Sequence, residues 1–168
     1  KKRNIEISFR DKKLDRDYVS VEDVCIDYFK KEKKLGNEYK TMTVLYPASP
    51  LRTFKDIIKV NNLIKPGLCD FSMSATYYDL PVNQALVKLR NNKVKPLFPK
   101  LIESKKFNTK KIFVDNGSIY SANVKSFLKL KSFFGKNLKV YIMPRSRSVD
   151  INTVEDLKIA KFYASQKK

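Results

Sequence analysis

The chain has 168 residues, 42% of them hydrophobic, which allows one domain with a buried core and marks it as globular rather than disordered. Thirty-six Lys and Arg against 17 Asp and Glu give a formal net charge of +19. Histidine is absent, which removes Ser-His and Cys-His nucleophiles and histidine metal sites, so chemistry must rest on carboxylates, Lys, Arg, Tyr or a metal.

Along the chain, residues 18–29 read as an amphipathic helix with Tyr18, Val21, Cys25, Tyr28 and Phe29 on one face, capped by Asp17 or Ser20 and closed by Gly36-Asn37. The apolar run from Thr41 to Tyr46 suits a buried strand, and Pro47 and Pro50 stop it by denying further ladder bonds. A second helix starts at Thr53, with Asp56 three residues on and Ile57, Ile58, Val60, Leu63 and Ile64 as its apolar face, and ends at Pro66-Gly67. Phe71, Met73, Ala75 and Tyr77 alternate with Ser72, Ser74 and Thr76, the period of a strand. Residues 84–89 and 93–98 form the arms of a hairpin around Arg90-Asn91-Asn92. Two short apolar runs, Ile112–Val114 and Ser118–Tyr120, flank the turn residues Asp115-Asn116-Gly117. A helix over 123–132, a strand over 139–142 and a last helix from about Thr153, burying Leu157, Ala160 and Tyr163 or Ala164, complete the chain. This alternation predicts an α/β fold, a mixed sheet flanked by helices in a single domain over 1–168, with an antiparallel excursion near 80–113.

Lysines are spread along the whole chain, and the densest block, Lys30–Lys34, sits where cations complement a helix dipole. With no nucleic-acid motif beside it, the positive field is expected to draw acidic small substrates rather than nucleic acid. No run approaches the roughly 18 apolar residues of a membrane span, the N-terminus has no signal-peptide pattern, and Cys25 and Cys69 are isolated, so the expectation is a cytoplasmic chain without a membrane partner.

The densest chemical signal is Ser148-Val149-Asp150-Ile151-Asn152-Thr153-Val154-Glu155-Asp156-Leu157. Asp150 and Asn152 are two apart, so an extended chain projects both oxygens to one side, an arrangement that suits a hard divalent cation. Thr153 and Asp156 then open a helix as a capping box.

Four landmarks together resemble the CMP-acylneuraminate synthetases (acylneuraminate cytidylyltransferases), which activate sialic, legionaminic or pseudaminic acids with CTP. Phe9-Arg10, Leu14 and Asp17 are similar to the family's Arg-Pro-x-x-Leu-x-x-Asp. Tyr46-Pro47-Ala48-Ser49-Pro50-Leu51-Arg52-Thr53 resembles its Gln-Pro-Thr-Ser-Pro-Leu-Arg-Thr. Asn116-Gly117-Ser118-Ile119-Tyr120, with Phe133-Phe134 beyond it, matches Asn-Gly-Ala-Ile-Tyr. The segment ending at Leu157 matches Ser-x-Asp-Ile-Asp-Thr-x-x-Asp-Leu. The resemblance covers the family's C-terminal two thirds; its opening strand and basic Gly-containing triphosphate loop have no counterpart, so the chain reads as N-terminally truncated.

The resemblance implies a Rossmann-like nucleotidyltransferase that moves CMP from CTP to a nonulosonic acid with release of pyrophosphate, assisted by Mg²⁺. It implies Asp150 as the catalytic and metal-binding acid, with Asn152 standing where the family has a second acid. Arg10 would contact nucleotide phosphates. Tyr46, Ser49, Arg52, Lys106, Asn116, Tyr120, Phe133 and Phe134 would form the sugar site, with Tyr46 in place of a family glutamine. Residues 80–113 would be the arm of a homodimer. Alternative readings are a remnant that keeps only sugar binding and dimerisation, a basic nucleic-acid-binding module, or CMP transfer to an eight-carbon sugar acid.

Overall fold

Each of the three longest helices begins at a capping box that the sequence spells out. At Ser20/Asp23, Thr53/Asp56 and Thr153/Asp156 the hydroxyl accepts the N–H three residues on, and the carboxylate accepts the N–H of the cap. Two otherwise orphaned donors are thereby satisfied at each start. The computed structural model describes residues 5–77, 82–102 and 112–166. Its elements run α1 (Val21–Lys34), β1 (Thr41–Leu45), α2 (Phe54–Asn61), β2 (Phe71–Tyr77), β3 (Leu86–Lys88), β4 (Val94–Pro96), α3 (Pro99–Ile102), β5 (Phe113–Asn123), α4 (Val124–Leu130), β6 (Leu138–Ile142) and α5 (Val154–Ser165).

The main sheet has the order β1-β5-β2-β6, with β5 antiparallel to both neighbours and β2 parallel to β6. β1, β2 and β6 therefore point the same way, and their C-terminal ends share one edge. The expected mixed sheet flanked by helices is borne out. One face buries Phe71, Met73, Tyr120 and Ala122 beneath Cys25 and Ile26 of α1, with Phe127 of α4 and Phe133. The other buries Ile119 and Met143 beneath Val60 and Ile57 of α2.

Several expectations shift in detail. Ser20 rather than Asp17 caps α1, so Tyr18 lies outside it and is 76% exposed. β1 is an edge strand with exposed Thr41, Thr43 and Leu45, not a buried one. Leu157 is 40% exposed, and Ala160 alone is buried on α5. α2 stops at Asn61, so Leu63 and Ile64 follow it in a turn. The runs either side of Asp115-Asn116-Gly117 are one strand, β5, broken by an internal bulge. The β3–β4 hairpin is as expected, its turn made by Asn91 and Asn92 at positive φ.

β2 shows why its serines are there. Ser72 and Ser74 are buried, and Ser72 Oγ donates to the Val60 carbonyl of α2 at 2.8 Å. A small hydroxyl lets the helix backbone approach and satisfies a carbonyl in the same step. On the opposite face, a Cβ added at Gly135 would collide with the buried Phe71 ring. Gly135→Ala should therefore destabilise the fold by about 1–3 kcal/mol through overpacking. Urea unfolding checks this, and an unchanged midpoint would show that the ring can yield. Among the described residues no helix is long and apolar enough to cross a membrane.

Candidate active site

Three loops meet where β1, β2 and β6 end. The first leaves β1 through Tyr46–Thr53 and is shaped from inside by Arg52, whose Nη1 donates to the carbonyls of Tyr46 (2.5 Å) and Ser49 (2.9 Å). Burial lowers the Arg52 pKa, and the two carbonyls give the guanidinium its compensation. The second is the bulge in β5. The third follows β6 through Met143–Thr153. Ile151 N–H donates to the Ala48 carbonyl at 2.9 Å, and Met143 N–H to the Ala75 carbonyl at 2.7 Å, so the third loop is pinned to the first and to the end of β2. In open α/β sheets, ligands bind outside the carboxyl ends of the strands.

The bulge is built from side chains. Met73 pairs with Tyr120 and Ala75 with Asp115, so Asn116, Gly117, Ser118 and Ile119 all stand opposite Ser74. Ser74 Oγ repairs the broken ladder, accepting from Ile119 N–H (3.0 Å) and donating to Asn116 Oδ1 (2.7 Å). Asn116 Nδ2 donates onward to Ser148 Oγ at 3.0 Å, tying the bulge to the third loop. Gly117 adopts φ +58°, and a Cβ there would sit 3.3 Å from Asp150 Oδ2. Glycine thus serves both the backbone and the close approach of Asp150.

The result is an open cleft of about 320 Å³ whose lining includes Thr76, Asp115, Gly117, Tyr120, Ser148 and Asp150. An adjoining cleft of about 310 Å³ shares Thr76, Val114, Ser148 and Asp150 with it and adds Arg145, Asp156 and Tyr163. Asp150 therefore stands at the junction of the two. Tyr120 Oη donates to both Asp115 oxygens at 2.7 Å. Burial, and then the bond to Asp115, push the Tyr120 phenol pKa well above its usual value, so it stays a donor.

Asp150 and Tyr120 thus line one cleft. Tyr46 packs on the Tyr120 ring with centroids 5.0 Å apart, behind the lining residues. Phe133 is core, its ring 5.2 Å from Tyr120 and 4.9 Å from Phe127, whereas Phe134 is 61% exposed. Ser49 is buried inside the first loop. Arg10 is exposed, ion-pairs with Asp15 at 2.6 Å, and lines a separate cavity between α1 and β1. Lys106 lies outside the described residues. Asn152, read as a co-ligand, donates its amide to Asp150 Oδ2 at 2.8 Å.

The sequence reading passed over Asp115, Thr76 and Arg145. Asp115 falls within a turn signature, and such a signature inside an apolar alternation can equally mark a bulge beside a site. Among the described residues no three His, Cys, Asp or Glu side chains gather as a metal cage. Mg²⁺ commonly takes only one or two carboxylates and completes its shell with water and substrate phosphates. Asp150 fits that demand: it lines the cleft and accepts a hydrogen bond from the Asn152 amide.

No protein-family model matches the chain. It is 29% identical over 158 residues to the pseudaminic acid cytidylyltransferase of Campylobacter jejuni serotype O:2, covering 90% of this chain and 66% of that protein. The corresponding enzyme of serotype O:23/36 is 28% identical over 152 residues with the same coverage. The N-acylneuraminate cytidylyltransferase of Escherichia coli is 26% identical over 147 residues, 80% of this chain and 32% of that protein. The chain therefore spans just under two thirds of the Campylobacter relatives it matches. The resemblance to the acylneuraminate cytidylyltransferases, first carried by four short motifs, extends over most of the chain.

Proposed function

We propose that this chain is a nucleotidyltransferase that moves a cytidylyl group from CTP to a nonulosonic acid of the pseudaminic, legionaminic or sialic type. The observation that carries the reading is the position of Asp150. It stands at the C-terminal ends of three parallel strands, in a cleft with Tyr120, within a chain similar to named cytidylyltransferases over 90% of its length.

In the reaction, the sugar's anomeric oxygen forms a bond to the α-phosphorus of CTP while the bond to pyrophosphate breaks, and the hydroxyl proton passes to solvent or a nearby base. Asp150 would hold Mg²⁺, which supplies charge neutralisation for the phosphates. The Asp150 carboxylate repels phosphates unless a cation intervenes, so its place in the cleft favours this dependence. Asn152 steadies the acid by hydrogen-bonding Oδ2. Arg52 and the Ile151–Ala48 bond hold two of the loops in place, which serves alignment of the attack.

The sheet, with ligand loops at its carboxyl edge, is of the Rossmann-like kind in this reading. The β3–β4 hairpin exposes Leu86 (60%), Val94 (57%) and Leu97 (49%), which supports a second copy of the chain as its partner.

Pyrophosphate release tests the proposal. The chain is incubated with CTP, Mg²⁺ and each of pseudaminic, legionaminic and N-acetylneuraminic acid. Release that requires one of the sugars and stops with chelator is the expected result. Release with none of them would overturn it.

A further inference from the structure

Asp115 and Tyr120 form a pair to which the sequence resemblance assigns no joint role. The phenol proton is committed to the carboxylate, so toward the cleft Tyr120 Oη presents only lone pairs. Asp115 Oδ1 also accepts the Gly117 N–H at 3.0 Å, which leaves open acceptor capacity chiefly at Oδ2. The wall is therefore two acceptors side by side with no free donor of its own. Beside it, Thr76 is 8% exposed, lines the same cleft, and its Oγ1 has no hydrogen-bond partner among the described residues.

We infer that Asp115, acting with Tyr120, is a specificity-determining residue that grips the uncharged, donor-rich part of the sugar acid, its vicinal hydroxyls or acylamido N–H. This rests on the proposed function and adds an orientation to it. Acceptors repel carboxylate and phosphate, so the sugar's own carboxylate and the reacting phosphate lie away from this wall. Two acceptors held together by one shared proton match a pair of neighbouring O–H or N–H donors, which a sugar acid carries on its ring and side chain and a phosphate group lacks. Asp115 is exposed rather than sealed in the core and lines the same cleft as Asp150, against which the bulge sets Gly117.

Calorimetric titration of the chain with CTP and with pseudaminic, legionaminic and N-acetylneuraminic acid tests this. Asp115→Asn keeps an acceptor for the Tyr120 proton and removes the charge. It should weaken the best-bound sugar acid by about tenfold or more, as expected for a hydrogen bond to a charged group, and leave CTP affinity within about twofold. Tyr120→Phe should weaken the same sugar by less, and the double variant by less than the product of the two, because the residues act as one unit. A purely structural role would move sugar and CTP affinity together, and that result overturns the inference. So does sugar affinity unchanged in Asp115→Asn. Should that variant melt early, Asp115→Glu, which retains charge at altered reach, must show the same selective loss. If the native chain binds CTP and none of the three sugars, the proposed function falls and the inference with it; selective CTP-independent sugar binding in the native chain separates the two outcomes.

Discussion

Asp150→Ala should lower cytidylyl transfer by about a hundredfold or more, the scale seen when a group stabilising transition-state charge is removed, while leaving the fold in place. Asp150 is half-buried at the junction of two clefts and accepts a hydrogen bond from the amide of neighbouring Asn152. The backbone of its loop is pinned elsewhere, through Ile151 N–H to the Ala48 carbonyl. Coupled pyrophosphate release gives the rate and thermal melting gives the fold. Near-native turnover would remove Asp150 from the mechanism, and a collapsed melting curve would recast it as structural.

The charge of the chain and the charge of its cleft point in opposite directions. At +19 the protein as a whole attracts acidic ligands, yet the cleft they would enter is lined by Asp115 and Asp150, with Asp156 in the adjoining one. Long-range attraction brings anions to the surface, and short-range repulsion then sorts them. A sugar acid can satisfy this by presenting hydroxyls to the acids and its carboxylate outward, whereas a phosphate group can approach them only across a cation.

The helix starts were readable because a capping box is local: a hydroxyl and an acid three residues apart fix the first turn with no outside help. The hairpin was readable for the same reason, since two asparagines tolerate the positive φ its turn needs. What the sequence hid was tertiary. The serines of β2 look like a polar face, but only the docking of α2 shows that Ser72 serves the Val60 carbonyl and is sealed. Asp115-Asn116-Gly117 looks like a turn between strands. That it is a bulge within one strand depends on β2 pairing with both sides of it, Met73 opposite Tyr120 and Ala75 opposite Asp115. In the candidate site, motif spacing pointed to Asp150 and Tyr120, which do share a cleft. It could not distinguish Phe133, a core ring, from Phe134, an exposed one, because two adjacent aromatics carry no sign of which way each turns.

Arg147→Met should destabilise the chain by about 3 kcal/mol, the lower part of the range for breaking a buried ion pair, because the Arg147 side chain is itself 27% exposed. Asp56 is 1% exposed and receives Arg147 Nη2 at Oδ1 (2.8 Å) and Nε at Oδ2 (3.0 Å), besides the Tyr141 hydroxyl and the cap of α2. The substitution keeps the aliphatic stem and strands the acid. Burial alone would raise the Asp56 pKa, but the hydrogen bonds from Arg147 and Thr53 outweigh it and hold it at about 2, below the ordinary 3.8. Between those two values the unfolded chain binds more protons than the folded one, so stability rises with pH across that window and is lost as acid drives pH down through it. In Arg147→Met this acid limb should flatten, since the main force depressing the pKa is gone. Urea unfolding at neutral pH and again at about pH 3 measures both effects, and a loss below about 1 kcal/mol with an unaltered acid limb would show the pair to be a surface contact. The consequence reaches the cleft, because Arg147 lies in the loop that carries Asp150. Asp56 is the post on α2 to which that loop is moored, so a variant that still folds should also bind its ligands with Asp150 less well placed.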